Sequence, residues 1–314
     1  MKNIVTVICM TYNHEKYIEK TLNGFLKQKT TFPVEYIIRD DASTDNTANI
    51  LRKYESKYPG FFNIIYEKEN QYSKNLIPYF SQKVIMETES KYVALCEGDD
   101  YWCDESKLQK QVDLMEKNAS ASFCIHANYE LNDKTGKMKE RHPYKKTGIL
   151  SLEEVLIEPG GMPATCSMLM RTDYINQYPV YDLPCPVGDR NRRMFLIDKG
   201  PALYIDELMS VYRVNNSNSF GGNICDYNKS LKLVEDMSVF FDLYNNYTNF
   251  KYAPYIKLLK EREMILHYTR FMKYDQVVKT EYYKKYYTFI DKIKLFIKWR
   301  LAPLYIIYKK KNKM

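Results

Sequence analysis

Short apolar runs and helix-like repeats alternate along the first third of the chain. The runs at residues 4–10, 36–38, 62–66 and 92–96 are too short for helices and predict strands. Between them, apolar residues recur three and four positions apart, as Ile18, Leu22 and Phe25 do, and predict helices. This alternation is typical of right-handed βαβ units in a parallel sheet. The chain is therefore predicted to have an α/β fold, with a mainly parallel, Rossmann-like sheet flanked by helices.

The alternation continues past the fourth strand and then gives way to helices. The further predicted elements are a helix at 106–117, strands at 122–129, 167–171 and 204–214, and a basic loop at 134–148. From Tyr227 onward the repeat is helical and rich in tyrosine. We therefore expect a helical extension over residues 224–291, followed by a distinct tail over residues 292–314.

The tail carries the excess of positive charge. The chain has 47 lysines and arginines against 39 acidic residues, which gives a net charge of +8. Eight basic residues and no acidic residue follow Asp291, and the remaining 39 basic residues equal the acidic ones. A protein that binds nucleic acid would spread such charge over a face, so we do not expect a nucleic-acid partner.

Aromatic and aliphatic residues lie among the lysines of this tail. Trp299 and Tyr305 are of the kind that sit at the headgroup level of a bilayer, which predicts peripheral membrane contact through a basic amphipathic tail. Pro303 is expected to break or kink the tail helix, which favours an in-plane anchor over a spanning segment. A helix docked on the rest of the protein is the alternative.

Cysteine and histidine usage adds two expectations. The seven cysteines show no C-x-x-C spacing, which is typical of free thiols in a reducing compartment, and the four histidines form no zinc motif. No signal-peptide pattern precedes the first strand, and no apolar stretch is long enough to span a bilayer. We expect a cytoplasmic protein, peripheral on the inner face of the plasma membrane.

Acidic side chains follow two of the predicted strands. Asp40 and Asp41 come after the second strand, and Glu97, Asp99 and Asp100 come after the fourth. Ligands of open α/β sheets bind at these carboxyl ends of the strands. Clustered carboxylates repel unless a cation or hydrogen-bond donors compensate, and a divalent cation with a nucleotide diphosphate would do so. A solvated acidic turn that caps the next helix is the alternative for the second cluster.

Three motifs lie in order along the first third of the chain. They are Val5-Thr6-Val7-Ile8-Cys9-Met10-Thr11-Tyr12-Asn13, Asp40-Asp41-Ala42-Ser43-Thr44-Asp45 and Glu97-Gly98-Asp99-Asp100-Tyr101-Trp102. Together they resemble family 2 glycosyltransferases with a GT-A fold. The resemblance implies transfer of a sugar from a nucleotide donor with inversion at the anomeric carbon. It also implies a GT-A domain over residues 1–223, with a nucleotide-binding half at 1–105 and an acceptor half at 106–223.

The same resemblance assigns roles to individual residues. Asp99 is expected to hold Mn²⁺ or Mg²⁺. The residues expected to bind the nucleotide are Thr11, Tyr12, Asn13, Asp41, Glu97 and Asp100. Family members usually carry Asp at the position of Glu97, so the longer side chain shifts its oxygens by about one C–C bond.

Two later positions complete the expected site. Asp189 follows glycine at the start of a predicted helix, where the family has its general base, although an acid before a helix is also a common N-cap. Tyr212-Arg213-Val214-Asn215 resembles the family's Tyr-Arg-x-His element. Asn215 replaces the histidine that often serves the metal, and an amide oxygen is the weaker ligand.

The resulting hypothesis is an inverting hexosyltransferase for cell-surface polysaccharide. Its donor is expected to be a nucleotide-diphosphate sugar of the UDP type, and its acceptor a glycan that is free or lipid-linked. A sugar-phosphate nucleotidyltransferase is one alternative, but Thr11-Tyr12-Asn13 is not the Gly-rich, basic loop that such enzymes need after the first strand. A non-catalytic protein that only binds sugar nucleotide is the other, and Asn215 is its best support.

Overall fold

Ten strands form one sheet in the N-terminal part of the chain. The computed structural model describes residues 3–74, 77–158, 161, 163–180, 183–215 and 226–311. The chain divides into a first unit, residues 1–182 and 187–219, and a second unit, residues 183–186 and 220–314. The expected boundary between residues 223 and 224 lies outside the described residues.

The strands of the first unit are β1 Val5–Thr11, β2 Val34–Asp40, β3 Phe62–Tyr66, β4 Tyr92–Leu95, β5 Tyr101–Trp102, β6 Phe123–Asn132, β7 Met138–Arg141, β8 Gly148–Ile149, β9 Leu169–Arg171 and β10 Ala202–Val214. Strands β1 to β4, β6, β9 and β10 agree closely with the apolar runs, whereas β5, β7 and β8 were not predicted. The helices of this unit are α1 Ile18–Leu26, α2 Thr47–Lys57, α3 Ile77–Glu87, α4 Lys107–Lys117, α5 Leu152–Ile157, α6 Thr172–Ile175 and α7 Gly188–Lys199.

The sheet is mixed, with a fully parallel half. The strand order is β3-β2-β1-β4-β9-β6-β10-β5, and the pairs β3–β2, β2–β1, β1–β4 and β6–β10 are parallel. Strand β9 is antiparallel to both of its neighbours, and β7 and β8 pair at the side of β6 and β10. The predicted α/β fold with helices flanking a mainly parallel sheet is confirmed.

Strand β1 is buried because it lies inside the sheet. Val5, Val7, Ile8 and Cys9 are at most 2% exposed, because β1 pairs with β2 on one side and β4 on the other while helices cover the faces. A nearly unbroken β-branched run is typical of such a strand. On one face, Phe25 of α1 packs against Tyr36 of β2, with ring centroids 5.2 Å apart.

The basic stretch 134–148 is not a simple loop, so this prediction was wrong. It contains β7, which pairs antiparallel with β6, and it leads into β8. The connecting turn includes Gly136 with φ of +66°. The four residues of β7 are Met138-Lys139-Glu140-Arg141, three of them charged, as suits an exposed strand at a sheet margin. Such a strand has no apolar alternation that a sequence could display.

The second unit is helical, as predicted for the C-terminal region. Its described helices are α8 Tyr227–Tyr247, α9 Ala253–Arg270, α10 Tyr274–Val277, α11 Glu281–Tyr286 and α12 Phe289–Lys311. Buried aromatic residues of α8, such as Phe240 and Phe241, form part of the core of the second unit. Tyr244 stacks on Tyr252, with ring centroids 5.5 Å apart.

Helix α12 begins three residues before the predicted tail and continues past Pro303. Of the break or kink expected at Pro303, the break is therefore absent, because a long helix tolerates the loss of the one backbone donor that proline lacks. Within the described part of the chain, no helix combines the length and the apolar character required to cross a membrane.

Candidate active site

The candidate site lies where the order of the sheet reverses. From β1 the chain continues to β2 on one side, whereas β4 pairs with β1 on the other. Thr11 ends β1, Asp40 ends β2, and Cys96 follows directly after β4. Such a switch point leaves a crevice at the carboxyl ends of the strands, which is where α/β proteins bind ligands. The structure thus brings the first and third motifs to one place.

The loop after β4 is packed tightly against the end of β1. Gly98 donates its N–H to the carbonyl of Met10 at 2.8 Å, and the hydroxyl of Thr21 donates to the carbonyls of Gly98 and Asp100 at 3.0 and 2.6 Å. A Cβ at position 98 would lie 2.7 Å from Thr11 Cβ and 2.9 Å from His14 Nδ1. Only glycine fits here, so the spacing of the carboxylates on either side of it is fixed by backbone packing.

The three carboxylates of this loop lie within electrostatic range of one another; Asp100 is buried, and Glu97 and Asp99 are half-buried. Burial raises the pKa of Glu97 to about 7, and the charge of Asp99 adds to the effect. Burial also raises the pKa of Asp100 well above its usual range, again with a contribution from Asp99. Asp100 accepts a 2.8 Å bond from the backbone N–H of Arg213 on Oδ1, while its buried Oδ2 has no N–H or O–H donor.

These features fit a hard divalent cation. Carboxylate oxygens are the ligands that Mn²⁺ and Mg²⁺ prefer, and a positive charge would offset the burial and the repulsion by Asp99 that raise the pKa values of Glu97 and Asp100. Among the described residues, no group of three or more His, Cys, Asp or Glu side chains forms a ready-made metal cage. Divalent ions that bind nucleotides usually take only one or two carboxylates and complete their shell with phosphate and water. The assignment of Asp99 to the metal stays a prediction.

Asn215 lies just beyond the end of β10. It is exposed and has a left-handed backbone with φ of 60°. Asparagine adopts this conformation more readily than most residues, which is a structural reason for its presence. Its role as a metal ligand also stays a prediction.

Asp41 connects the second motif to the loop after β3. Its backbone N–H donates to the carbonyl of Thr11 at 2.9 Å, and its two carboxylate oxygens accept from the N–H groups of Gln71 and Tyr72 at 2.9 and 3.0 Å. A carboxylate has about four acceptor positions, so these two bonds leave capacity for a ligand. Its predicted contact with the nucleotide requires that remaining capacity.

Asn13 joins the first motif to the second. Its N–H donates to Ser43 Oγ at 2.9 Å, and its Oδ1 accepts from the N–H of Thr44 at 2.8 Å. The residue has φ of 54°, in the left-handed region that asparagine tolerates. Tyr12 beside it is half-buried. The contacts of Asn13 are thus with the neighbouring loop, which shapes the rim of the crevice.

An arginine from β10 binds the back of the acidic loop. Arg213 donates from Nε to the carbonyl of Asp99 at 2.7 Å and from Nη1 to Asp133 at 3.3 Å. Its guanidinium carbon lies 4.5 Å from the ring centroid of Tyr17, whose hydroxyl also donates to Asp133, at 2.8 Å. Together with the backbone bond to Asp100, these contacts fix the loop in space.

Sequence reasoning missed this arrangement, and it also missed His14. The Tyr212-Arg213-Val214-Asn215 element includes Arg213 but does not by itself indicate its role, although this position was the one sequence feature that could have pointed to it. His14 directly follows the first motif, and its Nδ1 is buried against Gly98 without a hydrogen bond. Burial lowers the pKa of His14, which the negative charge of Asp99 opposes.

Asp189 lies in the first turn of α7. The N-cap of this helix is Val187, so Asp189 is not the cap, and that alternative is set aside. Its Oδ2 accepts from Thr165 Oγ1 and from Arg193 Nη1, each at 3.2 Å. Burial and the charge of Asp99 raise the pKa of Glu97, and the charge of Asp189 adds to the effect, so Asp189 lies within electrostatic range of Glu97.

The comparisons with known proteins decide the family. Residues 6–177, more than half of the chain, match the family model described as Glycosyl transferase family 2. The chain belongs to this family. The match includes the crevice residues at the ends of β1, β2 and β4, and the prediction of a family 2 glycosyltransferase is confirmed.

Similar proteins in the family come from several organisms. The putative teichuronic acid biosynthesis glycosyltransferase TuaG of Bacillus subtilis is 36% identical over 123 residues, which are 39% of this chain and 46% of TuaG. The chain spans less than half the length of the curated relatives that it matches.

Two solved structures show the same fold at low sequence identity. Staphylococcus aureus TarS 1-349 in complex with UDP-GlcNAc has a TM-score of 0.53 at 17% identity, covering 87% of this chain and 81% of TarS. The mannosyltransferase PcManGT from Pyrobaculum calidifontis, in complex with GDP-Man and Mn²⁺, has a TM-score of 0.57 at 14% identity, covering 100% and 84%. The predicted GT-A-like fold is confirmed by these likenesses.

Proposed function

We propose that this family 2 member is an inverting transferase that moves a sugar from a nucleotide-diphosphate donor to a glycan acceptor. The observation that carries the proposal is the pairing of an acidic loop at the strand ends with the separately anchored carboxylate of Asp189. The names of similar proteins support the class of substrate: TarS binds UDP-GlcNAc, PcManGT binds GDP-Man and Mn²⁺, and TuaG is assigned to teichuronic acid biosynthesis.

The residues divide the chemistry between two sides of the donor sugar. Asp189 accepts the proton of the acceptor hydroxyl as that oxygen attacks the anomeric carbon. The new C–O bond forms on the face opposite the nucleotide, the bond to the diphosphate breaks with its electron pair, and the anomeric configuration inverts. The nucleotide is held by the crevice of Thr11, Tyr12 and Asp41, whose shape depends on Asn13.

Asp99 would hold Mn²⁺ or Mg²⁺, with Glu97 and Asp100 beside it or at the ribose. A bound ion of this kind neutralises charge on the leaving diphosphate. Arg213 keeps the loop that carries Asp99 in place through its bond to the Asp99 carbonyl. A cell-surface glycan, free or lipid-linked, is the proposed acceptor, and UDP-sugars are the first donors to test.

The test combines a donor panel with one substitution. Release of the nucleoside diphosphate is measured for UDP-glucose, UDP-GlcNAc, UDP-galactose, dTDP-rhamnose and GDP-mannose, with Mn²⁺, with Mg²⁺ and with EDTA. Asp189→Asn is expected to lower turnover by roughly 10²–10⁴-fold. It is expected to leave the Kd of the nucleoside diphosphate, measured by calorimetry, unchanged within about a factor of two, because a base contributes to chemistry rather than to donor binding.

Three outcomes contradict parts of this proposal. Near-normal turnover of Asp189→Asn would assign the base to another acid. Pyrophosphate release from a sugar phosphate and a nucleoside triphosphate would favour a nucleotidyltransferase instead. Donor binding without turnover of any panel member, in the presence of acceptor glycans and metal, would favour a protein that only binds sugar nucleotides.

We also propose that α12 contacts an anionic membrane surface. Phe296 and Ile297 follow Ile293 by three and four residues, Phe289 precedes it by four, and all four side chains are 43–78% exposed, whereas Leu295 is buried. All of this stripe except Phe289 lies in the segment after Asp291, which carries all of the excess positive charge. An apolar face beside lysines fits the interface of an anionic bilayer in both polarity and charge. The proposed location is the inner face of the plasma membrane.

A further inference from the structure

A buried ionic network lies behind the carboxylate of Asp189. Both protein bonds to this carboxylate go to the same oxygen, Oδ2, from Thr165 Oγ1 and Arg193 Nη1 at 3.2 Å each. Among the residues that the structure describes, none gives a hydrogen bond to Oδ1. The side chain of Asp189 is 14% exposed, so it is neither fully buried nor free to rotate in water. The two oxygens therefore have different environments.

Arg193 is itself fixed from the other side. Its side chain is 2% exposed, and its Nε and Nη2 donate to Oε1 of Glu158 at 3.1 and 2.8 Å. Burial would lower the pKa of Arg193, but the charges of Glu158 and Asp189 prevail and raise it above its ordinary value. The guanidinium is thus a permanent cation that spans two carboxylates in a fixed fork geometry.

Glu158 is held in an unusual backbone conformation. It is the C-cap of α5, it has φ of 49°, and it is 2% exposed. Glycine or asparagine is usual at such a left-handed cap, whereas glutamate is strained there. Strain of this kind persists where the surrounding structure requires it and often occurs near functional sites. Here the strained residue supplies the carboxylate that anchors Arg193.

We propose that Arg193 is a positioning residue for Asp189, and this inference rests on the proposed function of Asp189 as the base. Arg193 and Thr165 occupy Oδ2, so that Oδ1 is the oxygen that receives the acceptor proton. Arg193 pairs with both Glu158 and Asp189. Glu158 therefore partly neutralises the guanidinium, and the pair between Arg193 and Asp189 orients Asp189 with less than the full positive charge acting on it. A carboxylate held in one rotamer keeps the reactive geometry that efficient proton transfer requires.

The experiment measures UDP release from UDP-GlcNAc, or from whichever panel donor is turned over fastest, in the full-length protein. Arg193→Gln is expected to lower kcat about 10–100-fold, since a displacement of about 1 Å costs on this order, while the KM of the donor changes less than about two-fold. Arg193→Lys retains the charge but loses the fork, so it is expected to recover only part of the loss.

Arg171→Gln is the matched control for removal of a buried arginine. Arg171 lies in β9 and donates to the main-chain carbonyls of Ala121 and Met115, with no bond to Asp189. Its removal is expected to lower the thermal unfolding temperature comparably and to change kcat less than about two-fold. An equal loss of kcat in both variants would mean that Arg193 acts through general stability, which would overturn the inference.

A double-mutant cycle separates positioning from other roles. If Arg193 acts through Asp189, Arg193→Gln has no further effect on turnover in an Asp189→Asn background. Two results would overturn the positioning role but leave the proposed base intact. One is a loss of kcat in the double variant equal to the product of the two single losses. The other is a normal kcat for Arg193→Gln when Asp189→Asn is inactive. Normal turnover of Asp189→Asn would instead remove the proposed base. If Arg193→Gln does not fold, Thr165→Val decides: a fall in kcat at constant KM supports the inference, and unchanged kcat refutes it.

Discussion

Lys107 is a fully buried cation just behind the acidic loop. Its Nζ lies 4.0 Å from the centroid of the Trp102 ring and donates to Gln111 Oε1 at 2.8 Å. Burial lowers the pKa of Lys107 to about 8, because the ammonium group loses its hydration shell. A cation–π contact and one hydrogen bond replace only part of that shell. The residue therefore makes the free energy of unfolding depend on pH.

The sign follows from proton binding in the two states. Between about pH 8 and 10.5 the unfolded chain keeps this proton and the folded chain has lost it, so stability rises with pH in this window. Relative to Lys107→Met, the free energy of unfolding of the wild type is expected to rise by on the order of 2 kcal/mol from pH 7 to 10. Urea unfolding followed by circular dichroism at several pH values measures this difference.

The exposed lysine at the end of the same helix provides the control. Lys117→Met removes a lysine that water already solvates, so its curve is expected to remain parallel to that of the wild type. Tyrosines that ionise near pH 10 are present in all three proteins and cancel in the comparison. Parallel curves for the wild type and Lys107→Met would show that Lys107 retains an ordinary pKa in the folded state.

At the residue scale, the motifs predict candidate acidic residues for the site but not the contacts that hold them. Thr11, Asp41 and Asp99 were recognisable because each follows an apolar run within a known spacing. Arg213 and Asp133 belong to elements 80 residues apart, and nothing in the local sequence indicates that they meet. The need for glycine at position 98 likewise follows from the approach of β1, which only the folded structure reveals.

At the element scale, the end of β10 supports the loop after β4. Arg213 is 7% exposed, and its side chain joins the Asp99 carbonyl to the carboxylate of Asp133. Arg213→Gln is expected to reduce the free energy of unfolding by about 2–3 kcal/mol, because Asp133 and the carbonyl lose a charged partner. It is also expected to weaken Mn²⁺-dependent UDP binding at least ten-fold, since the loop that carries Asp99 loses an anchor.

Tyr17→Phe is the matched control for this network. It removes the hydroxyl bond to Asp133 but keeps the ring beneath the guanidinium, so the expected loss of stability is about 1 kcal/mol. Its effect on UDP binding is expected to be less than about three-fold. Urea unfolding and calorimetry with UDP and Mn²⁺ measure both quantities. Unchanged UDP affinity in Arg213→Gln would show that the loop holds its shape without β10.

The elements that the sequence predicted are those with buried, periodic faces. Strands β1 to β4 and helix α4 show apolar runs or helical repeats, because each has a face in the core. Strands β5, β7 and β8 are two to four residues long, and pairing with neighbours rather than side-chain pattern defines them. Short exposed strands carry too little pattern to be recognised before folding.

At the scale of the whole molecule, the order of elements along the chain predicts the parallel half of the sheet but not the pairing of the other strands. Alternating strands and helices restrict β1 to β4 to a few topologies. Strand β9 has only three residues, and it enters between β4 and β6 in the opposite direction. That insertion brings the segment around Thr165 towards Asp189, so the second half of the site depends on a long-range pairing that no local pattern encodes.

The membrane proposal makes the last prediction, and it concerns the exposed face of α12. Ile293→Asp with Ile297→Asp places two charges on the apolar stripe, so binding to vesicles of phosphatidylglycerol and phosphatidylcholine is expected to fall more than ten-fold in flotation assays. The control, Val239→Asp with Leu266→Asp, makes the same change of charge at two apolar residues of α8 and α9 that are 58% and 49% exposed. It is expected to bind nearly as the wild type does.

High salt should weaken the binding of all three proteins, since each basic residue near an anionic surface contributes about 1 kcal/mol that ions screen. Equal flotation of the α12 variant and the wild type, or equal losses in both double variants, would exclude an anchor on this stripe.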